Sequence, residues 1–468
     1  MNAFTLILRG LWHFRRTHAG VVLGTAVGTA VLVGALVTGD SVRASLREQA
    51  MNRIGAVHSV LASHDRSFGG DLGERLGAEI PDLRFAPIIH LGGVAARADG
   101  SFRANDVSVL GIDKRFFRMA PVRTELERLE TGEAYFNEYL ARRLDVDVGD
   151  TVVLRVESPG TLPRDLVLAT IDDAEVALRV AVKGILTEEQ FGRFGLAASQ
   201  LPPLNVYLDG GWLGSQLGFG NNLLLVDCDA AAAGAALREA FILRDAGIRE
   251  MAFADRDDVA LRTRRVFLDT HVADAAAGLG LPLNRILTYF VNTLASGQRS
   301  TPYSTVAAVE WWDMDDDEIV VNEWLAEDLD AGPGEELTLT YFVPGPRREL
   351  LERSRTFRIR EVVPLEGRVA DPTLMPDYPG LSDAEHCRDW EPGVKIDLGH
   401  IREKDETYWD AHRGTPKAFV TLAAGQAMWS NPFGSLTEIR APENARDELL
   451  TGLRNAIDPA AIGLSFQD

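Results

Sequence analysis

Cysteine is scarce in this chain, which contains only Cys228 and Cys387 among 468 residues. A small secreted scaffold held together by disulfides needs several closely spaced cysteines, so that class of protein is excluded. Whether these two distant cysteines pair is left open. The fold must therefore depend on apolar cores, and its 46% hydrophobic residues and its length are sufficient for two or three of them.

Motifs for nucleotide binding and nucleophilic catalysis are also absent. The sequence has no GxxxxGK[ST] loop, no GxGxxG opening a helix after a strand, and no GxSxG. His386, Cys387, His400 and His412 are residue types that bind metals, but no HxxxH or CxxC spacing places them on one face. We therefore predict no catalytic, cofactor-binding or metal-binding residues, and we expect that the protein is not an enzyme.

Positive charge is deficient over most of the chain. The net charge is −21, yet the only charged residues before Asp40 are Arg9, Arg15 and Arg16. The N-terminal segment is therefore basic, and the rest of the chain is strongly acidic. Phosphate contacts need clustered lysine and arginine, so a nucleic acid is not an expected partner.

Long apolar runs are lacking except for one, the uncharged segment of residues 19–39. Twenty helical residues rise about 30 Å, which matches the hydrocarbon thickness of a bilayer, so we predict a transmembrane helix. Basic flanks stay in the cytoplasm, which places the bulk of the chain outside the plasma membrane. A cleaved signal peptide is the alternative. Its basic region would be long, its apolar run would exceed the usual 7–15 residues, and no clean cleavage site follows.

The flanks of this segment both have helical patterns. Residues 1–18 place apolar and basic positions at helical spacing, which predicts an amphipathic helix on the cytoplasmic surface that contacts lipid. An unstructured segment is the alternative. Residues 40–56 continue a helical stripe through Val42, Leu46 and Ile54, which predicts a stalk.

Within the apolar segment, Gly20, Gly24 and Gly28 recur at every fourth position. Small residues at this spacing allow close helix approach in lipid, where packing drives association. The three glycines therefore form a candidate packing face. The alternative is compositional, because glycine and alanine are frequent throughout the chain.

An internal repeat organises the exported part. Residues 133–149 align without a gap to residues 318–334, and the match includes Asn137 with Asn322 and Glu138 with Glu323. Each copy has the pattern of a strand, an Asn cap, an amphipathic helix, a glycine turn and a second strand. Asparagine accepts backbone N–H bonds at a helix start, and the following Glu complements the helix dipole, so capping explains both pairs without catalysis.

Looser matches extend this repeat along the chain. They predict a first mixed α/β unit at 57–256, a helical connector at 257–299 and a second unit at 300–468 with a loop-like insertion at 364–415. The predicted fold class is therefore α+β, with one N-terminal transmembrane helix followed by two related units.

The order of these parts resembles the FtsX/MacB/LolC class of ABC transporter permeases. The resemblance rests on Gly39-Asp-Ser-Val-Arg43 after the apolar segment, on the Asn-Glu-x-Leu-Ala-x-x-Leu pattern ending at Gly149 and Gly334, and on Tyr289-Phe-Val-Asn-Thr and Phe433-Gly-Ser-Leu-Thr-Glu-Ile-Arg440. It implies an inner-membrane permease subunit whose periplasmic domain has a MacB-like core and couples to ATP-driven export or to handling of lipoproteins and other envelope substrates.

The resemblance also implies partners. Such permeases depend on a separate or fused ABC ATPase and on further membrane helices, and a periplasmic substrate is expected. This chain has no second apolar span, so we expect the N-terminal portion of a longer permease. The alternative function is a stand-alone, membrane-anchored periplasmic binding module.

Overall fold

The computed structural model describes residues 3–468 except 64–65, 123, 125, 158–174, 198, 200, 254–255, 346–348, 379, 383 and 391–395. Two helices come first, α1 (Ala3–His13) and α2 (Arg15–Ile54). Helix α2 is continuous, so it contains both the predicted span of residues 19–39 and most of the predicted stalk of residues 40–56. The predicted amphipathic segment 1–18 is divided at Phe14 between α1 and the start of α2, and residues 1–2 lie outside the described part.

In the described residues, the first half of the chain after α2 forms nine strands and four helices. In chain order they are β1 (Ser59–Ala62), α3 (Leu72–Glu79), β2 (Phe85–Arg97), β3 (Arg103–Ile112), β4 (Glu133–Asn137), α4 (Glu138–Leu144), β5 (Thr151–Glu157), β6 (Glu175–Leu186), β7 (Leu204–Asp209), α5 (Gly210–Leu217), β8 (Leu223–Val226), α6 (Ala230–Ala240) and β9 (Ile248–Ala252).

The second half repeats this order with one additional helix, α9. Its elements are β10 (Asp258–Thr263), α7 (Thr270–Gly278), β11 (Asn284–Ser296), β12 (Arg299–Val309), β13 (Glu318–Asn322), α8 (Glu323–Leu329), β14 (Glu336–Pro344), β15 (Leu350–Val363), α9 (Glu403–His412), β16 (Ala418–Thr421), α10 (Leu422–Trp429), β17 (Glu438–Pro442), α11 (Arg446–Ala456) and β18 (Phe466–Gln467). The mixed α+β class with a long apolar N-terminal helix is confirmed.

Each half builds a closed ring of six strands, which we call barrel 1 and barrel 2. Barrel 1 has the order β2-β3-β7-β4-β6-β5, and pairing of β5 with β2 closes it. Barrel 2 has the equivalent order β11-β12-β16-β13-β15-β14. Even the irregularities repeat, because the pairing register shifts at Ala134/Tyr135 in one barrel and at Ile319/Val320 in the other.

The long strands β2 and β11 belong to two layers. Residues of β2 before the bend pair with β8, and residues from Gly93 onward pair with β5. A side chain at Gly93 would place its Cβ 2.7 Å from the backbone oxygen of Arg155, so the close approach of β5 requires glycine there. Beyond each bend lies a three-stranded extension. We call these arm 1 (β8, β1, β18) and arm 2 (β17, β10, β9).

The two repeats exchange their last strands. Strand β9 ends the first repeat but pairs with β10 in arm 2, and β18 ends the second repeat but pairs with β1 in arm 1. The two strands are equivalent, since each follows a helix, a short 3-10 turn and a glycine of positive φ, at Gly247 (74°) and Gly463 (85°). The exchange joins the arms through one continuous apolar core that includes Leu61, Leu237 and Leu261.

The predicted unit boundaries are therefore wrong at the junction. Residues 248–252 of the first predicted unit lie in the second sheet, and residues 466–467 of the second lie in the first. The connector 257–299 is also wrong as a helical segment, because it contains β10, all of β11 and only the nine-residue helix α7. Val259, Val266 and Val272 have helical spacing by coincidence: one is in a strand, one in a turn and one in a helix, and all three are buried.

The insertion 364–415 is pinned to arm 2 by buried charges, although residues 379, 383 and 391–395 lie outside its described part. Asp371 lies 2.6 Å from the Arg440 guanidinium. Arg262, which pairs with Glu438 at 2.5 Å inside arm 2, also donates to the carbonyl of Thr373 in the insertion. Burial favours the neutral form of Asp371, but hydrogen bonds from Thr373 and Arg440 outweigh it and lower its pKa to about 2. The carboxylate therefore stays ionised, and the insertion is not a free loop.

Candidate functional site

The end of helix α2 is fixed directly to barrel 1. Gly55 ends the helix with φ of 63°, and its N–H donates to the carbonyl of Met51 at 2.8 Å. The next residue, Ala56, donates to the carbonyl of Met119 at 2.8 Å. A Cβ at Gly55 would lie 2.1 Å from that same carbonyl, so both the backbone conformation and the contact require glycine.

Arg53 makes a second connection one turn earlier. Its guanidinium donates to the carbonyl oxygens of Ala197 at 3.0 Å and Ser199 at 3.1 Å. Both acceptors belong to the segment between β6 and β7, residues 187–203, which we call the docking loop. Residues 198 and 200 of this loop lie outside the described part. The stalk is thus attached to a loop of the barrel as well as to the chain that follows it.

Aromatic side chains fill the space beneath the helix end. Phe116 packs 5.0 Å from Phe191 and 5.1 Å from Phe194, measured between ring centroids, and all three are buried. Ile54 and Val57 pack on this cluster from the stalk side. Three packed rings therefore hold the end of α2 tightly against the docking loop.

Asn137 has a second role beyond the predicted cap. Its side-chain oxygen accepts from the N–H of Leu140 at 2.9 Å, which caps α4, and its amide donates to the carbonyls of Gly192 (3.0 Å) and Pro203 (2.7 Å). Both carbonyls belong to the docking loop. One buried side chain therefore ties the repeated helix to the loop that holds the stalk.

Two further buried residues complete this network, and the repeat did not identify either of them as a site. Asn205 donates to the carbonyl of Phe194 at 2.7 Å, and the Tyr207 hydroxyl donates to the carbonyl of Phe191 at 3.0 Å. Complete burial raises the pKa of Tyr207, which keeps its hydroxyl protonated as a donor. In the sequence, Asn205 and Tyr207 are polar side chains on an otherwise apolar strand. This pattern indicates a buried hydrogen-bond network only once the strand is known to be buried.

The equivalent residues of the second repeat hold a different segment. Asn322 caps α8 by accepting from the N–H of Leu325 at 2.9 Å, and its amide donates to the Tyr408 hydroxyl at 3.1 Å. Glu323 accepts from the N–H of Leu365 at 3.1 Å. Both contacts hold the insertion 364–415. By contrast, Glu138 pairs with Arg142 at 3.0 Å on the surface of α4.

The predicted packing face lies on the uncovered part of α2. A Cβ built at Gly20, Gly24 or Gly28 would meet nothing within 4 Å, and no residue of α2 is buried. Among the described residues, Arg15–Ile54 is the one helix long and apolar enough to cross a membrane, with a mean hydropathy of 2.2 over its most apolar window. The face therefore lies near the N-terminal end of α2, whereas the barrel is attached at the C-terminal end of this helix. The capping residues Asn137 and Asn322 belong to other helices.

The insertion contains no metal centre in its described part. No group of three or more His, Cys, Asp or Glu residues comes together within the described ranges. Cys387 and Cys228 are both free, and burial raises the pKa of the Cys387 thiol to about 12. Trp390 and Trp409 pack edge to face at 5.0 Å in the interior of the insertion.

Comparison with known proteins matches this architecture to one family. Residues 19–242 match the family model described as MacB-like periplasmic core domain. The match begins with the apolar part of α2 and ends two residues after α6, so it contains the span, the stalk junction and the first repeat without β9. No curated protein matches the chain.

Three solved structures are similar at low identity. The periplasmic region of MacB from Actinobacillus actinomycetemcomitans is 13% identical, with 40% of this chain and 84% of that chain covered and a TM-score of 0.27. The extracellular domain of the noncanonic ABC-type transporter YknZ from Gram-positive bacteria is 13% identical, with coverage of 39% and 90% and a TM-score of 0.25. A domain of a putative permease protein from Porphyromonas gingivalis is 16% identical, with coverage of 41% and 83% and a TM-score of 0.25.

These findings confirm the resemblance that the sequence indicated. The first repeat, the stalk and the apolar helix together are the part recognised by the family model, and the capping residues Asn137 and Glu138 lie within it. Residues 19–242 of the chain therefore contain a MacB-like periplasmic core domain, the domain type on which the resemblance to ABC transporter permeases rested.

Proposed function

We propose that this chain is the membrane-anchored extracytoplasmic part of an ABC permease, in which α2 passes motion from the membrane to barrel 1. The observation that carries this proposal is the continuity of α2, which runs from the apolar span to Ile54 and ends on the barrel. A helix of 40 residues is about 60 Å long, so a small tilt at the membrane becomes a displacement of several ångströms at the docking loop.

The proposed arrangement places the N-terminus in the cytoplasm of the bacterial inner membrane. Arg9, Arg15 and Arg16 precede the span, and short basic segments remain on the cytoplasmic side. The barrels are then periplasmic. Helix α1 has an exposed apolar side with Phe4, Leu8 and Leu11, which suits contact with membrane lipid at the cytoplasmic surface.

In this proposal the chain is not an enzyme. An ABC ATPase supplies the energy, further permease helices pack on α2, and the barrels act on a periplasmic substrate such as a lipoprotein or another envelope molecule. Gly20, Gly24 and Gly28 provide the packing face, which is uncovered in the chain by itself.

Co-purification tests the proposal. The tagged full chain, expressed in its native host and extracted in mild detergent, is expected to recover an ATPase and a protein with several membrane spans. Recovery of a lone, monodisperse monomer would overturn it. In the recovered complex, adding ATP should change hydrogen exchange in the docking loop.

The variant Arg53→Ala makes this experiment more specific. It removes the two contacts to Ala197 and Ser199, so the ATP-dependent change in the docking loop should shrink while the partners are still recovered. Arg47→Ala is the matched control, because Arg47 is exposed on the same helix and no contact of it with the barrel is described. Equal behaviour of the two variants would contradict a role of the Arg53 contact in coupling.

The stand-alone binding module stays the second candidate, and one observation favours it. A cavity of about 600 Å³ opens at the junction of the two repeats, within the usual size range of small-molecule sites. This candidate predicts ligand binding by the full chain with no ATPase present and none recovered, whereas the coupling proposal requires the partners.

A further inference from the structure

The cavity at the junction exists because the repeats exchange strands. One wall is the loop of residues 66–71 from the first repeat, and another is the segment 244–249 that leads into β9. The opposite wall is formed by residues 263–265 of the second repeat and by Ile462 and Leu464 before β18. Neither repeat could form this cavity without the other.

The cavity is basic in a chain that is strongly acidic. Its lining includes two aspartates, Asp71 and Asp245, and five arginines, namely Arg66, Arg244, Arg249, Arg264 and Arg265. The lining therefore has a net charge of +3, against −21 for the whole chain. A concave surface with this excess of one sign attracts the opposite charge and concentrates anions from solution.

Both lining aspartates are already engaged. Asp245 is fully buried, lies 2.6 Å from the Arg75 guanidinium, and accepts from the N–H of Gly69 at 3.2 Å. Asp71 lies 2.7 Å from Arg244. A Cβ at Gly69 would stand 2.6 Å from the Asp245 carboxylate, so glycine and aspartate together fix the loop of residues 66–71. These carboxylates shape the wall, and Asp269, just outside the lining, pairs with Arg66 at 3.0 Å.

Arg249 and Arg264 are the two cations without a close counter-ion. Both are exposed, and within the described ranges neither has a carboxylate at salt-bridge distance. Partial burial and the neighbouring charge of Arg264 lower the pKa of Arg249, and the carboxylate of Asp377 opposes this shift without reversing it. The two guanidinium groups therefore lie close enough for their charges to interact. A bound anion would relieve this repulsion.

The floor of the cavity is apolar. Phe68, Ile248, Ile462 and Leu464 line it and are each nearly inaccessible, and Phe219 stands at its edge. A simple inorganic anion would leave this floor unused. A ligand with an acidic head and an aliphatic tail would match both surfaces, because guanidinium groups pair bidentately with phosphate and an aliphatic chain would replace water over the few apolar atoms that still face the cavity.

We propose that the cavity binds an anionic phospholipid-like amphiphile, with its phosphate between Arg249 and Arg264 and its aliphatic part on Phe68, Ile248 and Leu464. The ligand bridges β9 and the residues after β10, which belong to different repeats. Its binding therefore stabilises the exchanged arrangement. This inference needs neither the ATPase nor further membrane helices, so its failure would leave the coupling proposal untouched.

Titration with soluble short-chain lipids tests the proposal. The full chain in a nonionic detergent is titrated with dihexanoyl phosphatidylglycerol, dihexanoyl phosphatidylcholine or inorganic phosphate, and heat is measured. We expect binding of the anionic lipid at least tenfold tighter than that of the zwitterionic lipid, and a weakening as salt rises. Equal affinity for the two lipids would overturn the proposal. So would inorganic phosphate binding as tightly as the anionic lipid.

Arginine variants locate the site. Arg249→Ser with Arg264→Ser should weaken binding of the anionic lipid at least tenfold. The matched control is Arg179→Ser with Arg353→Ser, which removes the same charge from exposed strand positions on the two barrels. Equal affinity of the two double variants would refute the assignment.

A second measurement in the unmodified chain keeps the test independent of how the variants fold. The anionic lipid should slow hydrogen exchange at residues 244–249 and 263–265. Binding without this protection would place the ligand elsewhere and overturn the proposal. An acidic hydrophobic peptide that bound more tightly at these residues would overturn the lipid assignment.

Discussion

The Arg53 guanidinium donates to the carbonyl oxygen of Ala197 at 3.0 Å, across a separation of 144 residues in the chain. This contact joins the last turn of the membrane helix to the docking loop, and the docking loop is held in turn by Asn137. Asn137, which the repeat identified as a helix cap, therefore also links α4 to the loop that holds the end of α2.

Replacing Asn137 tests this second role. Asn137→Ala removes the cap of α4 and leaves the carbonyls of Gly192 and Pro203 without their donor, so the free energy of unfolding should fall by about 2–4 kcal/mol. Hydrogen exchange in the docking loop should also accelerate. Asn322→Ala removes the equivalent cap but should leave the docking loop unchanged. Acceleration of the loop by both variants alike would contradict the specific tie.

The strand exchange predicts an effect at a distance in sequence. Phe466 is buried against arm 1, opposite Leu61, so Phe466→Ala should reduce the free energy of unfolding by about 3 kcal/mol. Because the partner strand is β1, hydrogen exchange should accelerate in residues 59–62 of the first repeat. Met251→Ala, at a more exposed position of the reciprocal strand β9, is the control and should change stability by less than about 0.5 kcal/mol. Unchanged exchange in β1 would refute the pairing.

The buried Lys417 predicts a free energy of unfolding that depends on pH. Burial lowers its pKa to about 8, and the carboxylate of Asp405, 3.9 Å away, offsets only part of that cost. Asp405 keeps Arg402 at 2.7 Å, so Lys417→Met removes a buried charge without orphaning its partner and should raise the free energy of unfolding at pH 7 by about 1–3 kcal/mol.

The sign of the pH dependence follows from the two states of Lys417. The unfolded chain binds this proton up to a pKa of about 10.4, whereas the folded chain releases it near pH 8. Stability of the unmodified protein therefore rises between these values, and the advantage of Lys417→Met should shrink above pH 8. Chemical denaturation at pH 7 and pH 9.5 measures this difference. Lys404→Met, at a half-exposed position, is the control, and a pH-independent advantage would contradict the assignment.

The glycine face of α2 predicts a loss of partners without a loss of fold. Gly24→Leu with Gly28→Leu adds bulk where a neighbouring helix would approach, so co-purification of membrane partners should be lost. Ala26→Leu lies on the opposite side of the helix and should leave recovery unchanged. Recovery of the partners by both variants would contradict the packing face and indicate that α2 acts only as a membrane anchor.

The sequence revealed the repeated helix because its signals are local. Asparagine, four apolar helix positions and a glycine turn all fall within 17 residues, and Asn137 and Asn322 recur at the same place in both barrels. The resemblance to the MacB class followed from the same pattern. Local signals of this kind determine short elements and their caps, so this part of the fold was predictable.

The strand exchange left no such signal. Strand β18 has two residues and β9 has five, and their partners are chosen by packing in a core shared between the repeats. Val259, Ala260 and Leu261 are all buried, so both faces of β10 are covered and the alternation that would identify a strand is absent. The unit boundary and the connector were mispredicted for this reason, and the cavity between the repeats could not be foreseen.

The reciprocal pairing of β9 and β18 also constrains biogenesis. The first sheet receives β18, its outermost strand, only from the C-terminal end of the second repeat, after the whole of barrel 1 has been synthesised. Until then the edge of β1 stays open, and an open edge is a template for pairing with another chain. Folding of the first repeat is therefore completed only with the second, and the chain is most exposed to wrong pairing between synthesis of β1 and arrival of β18.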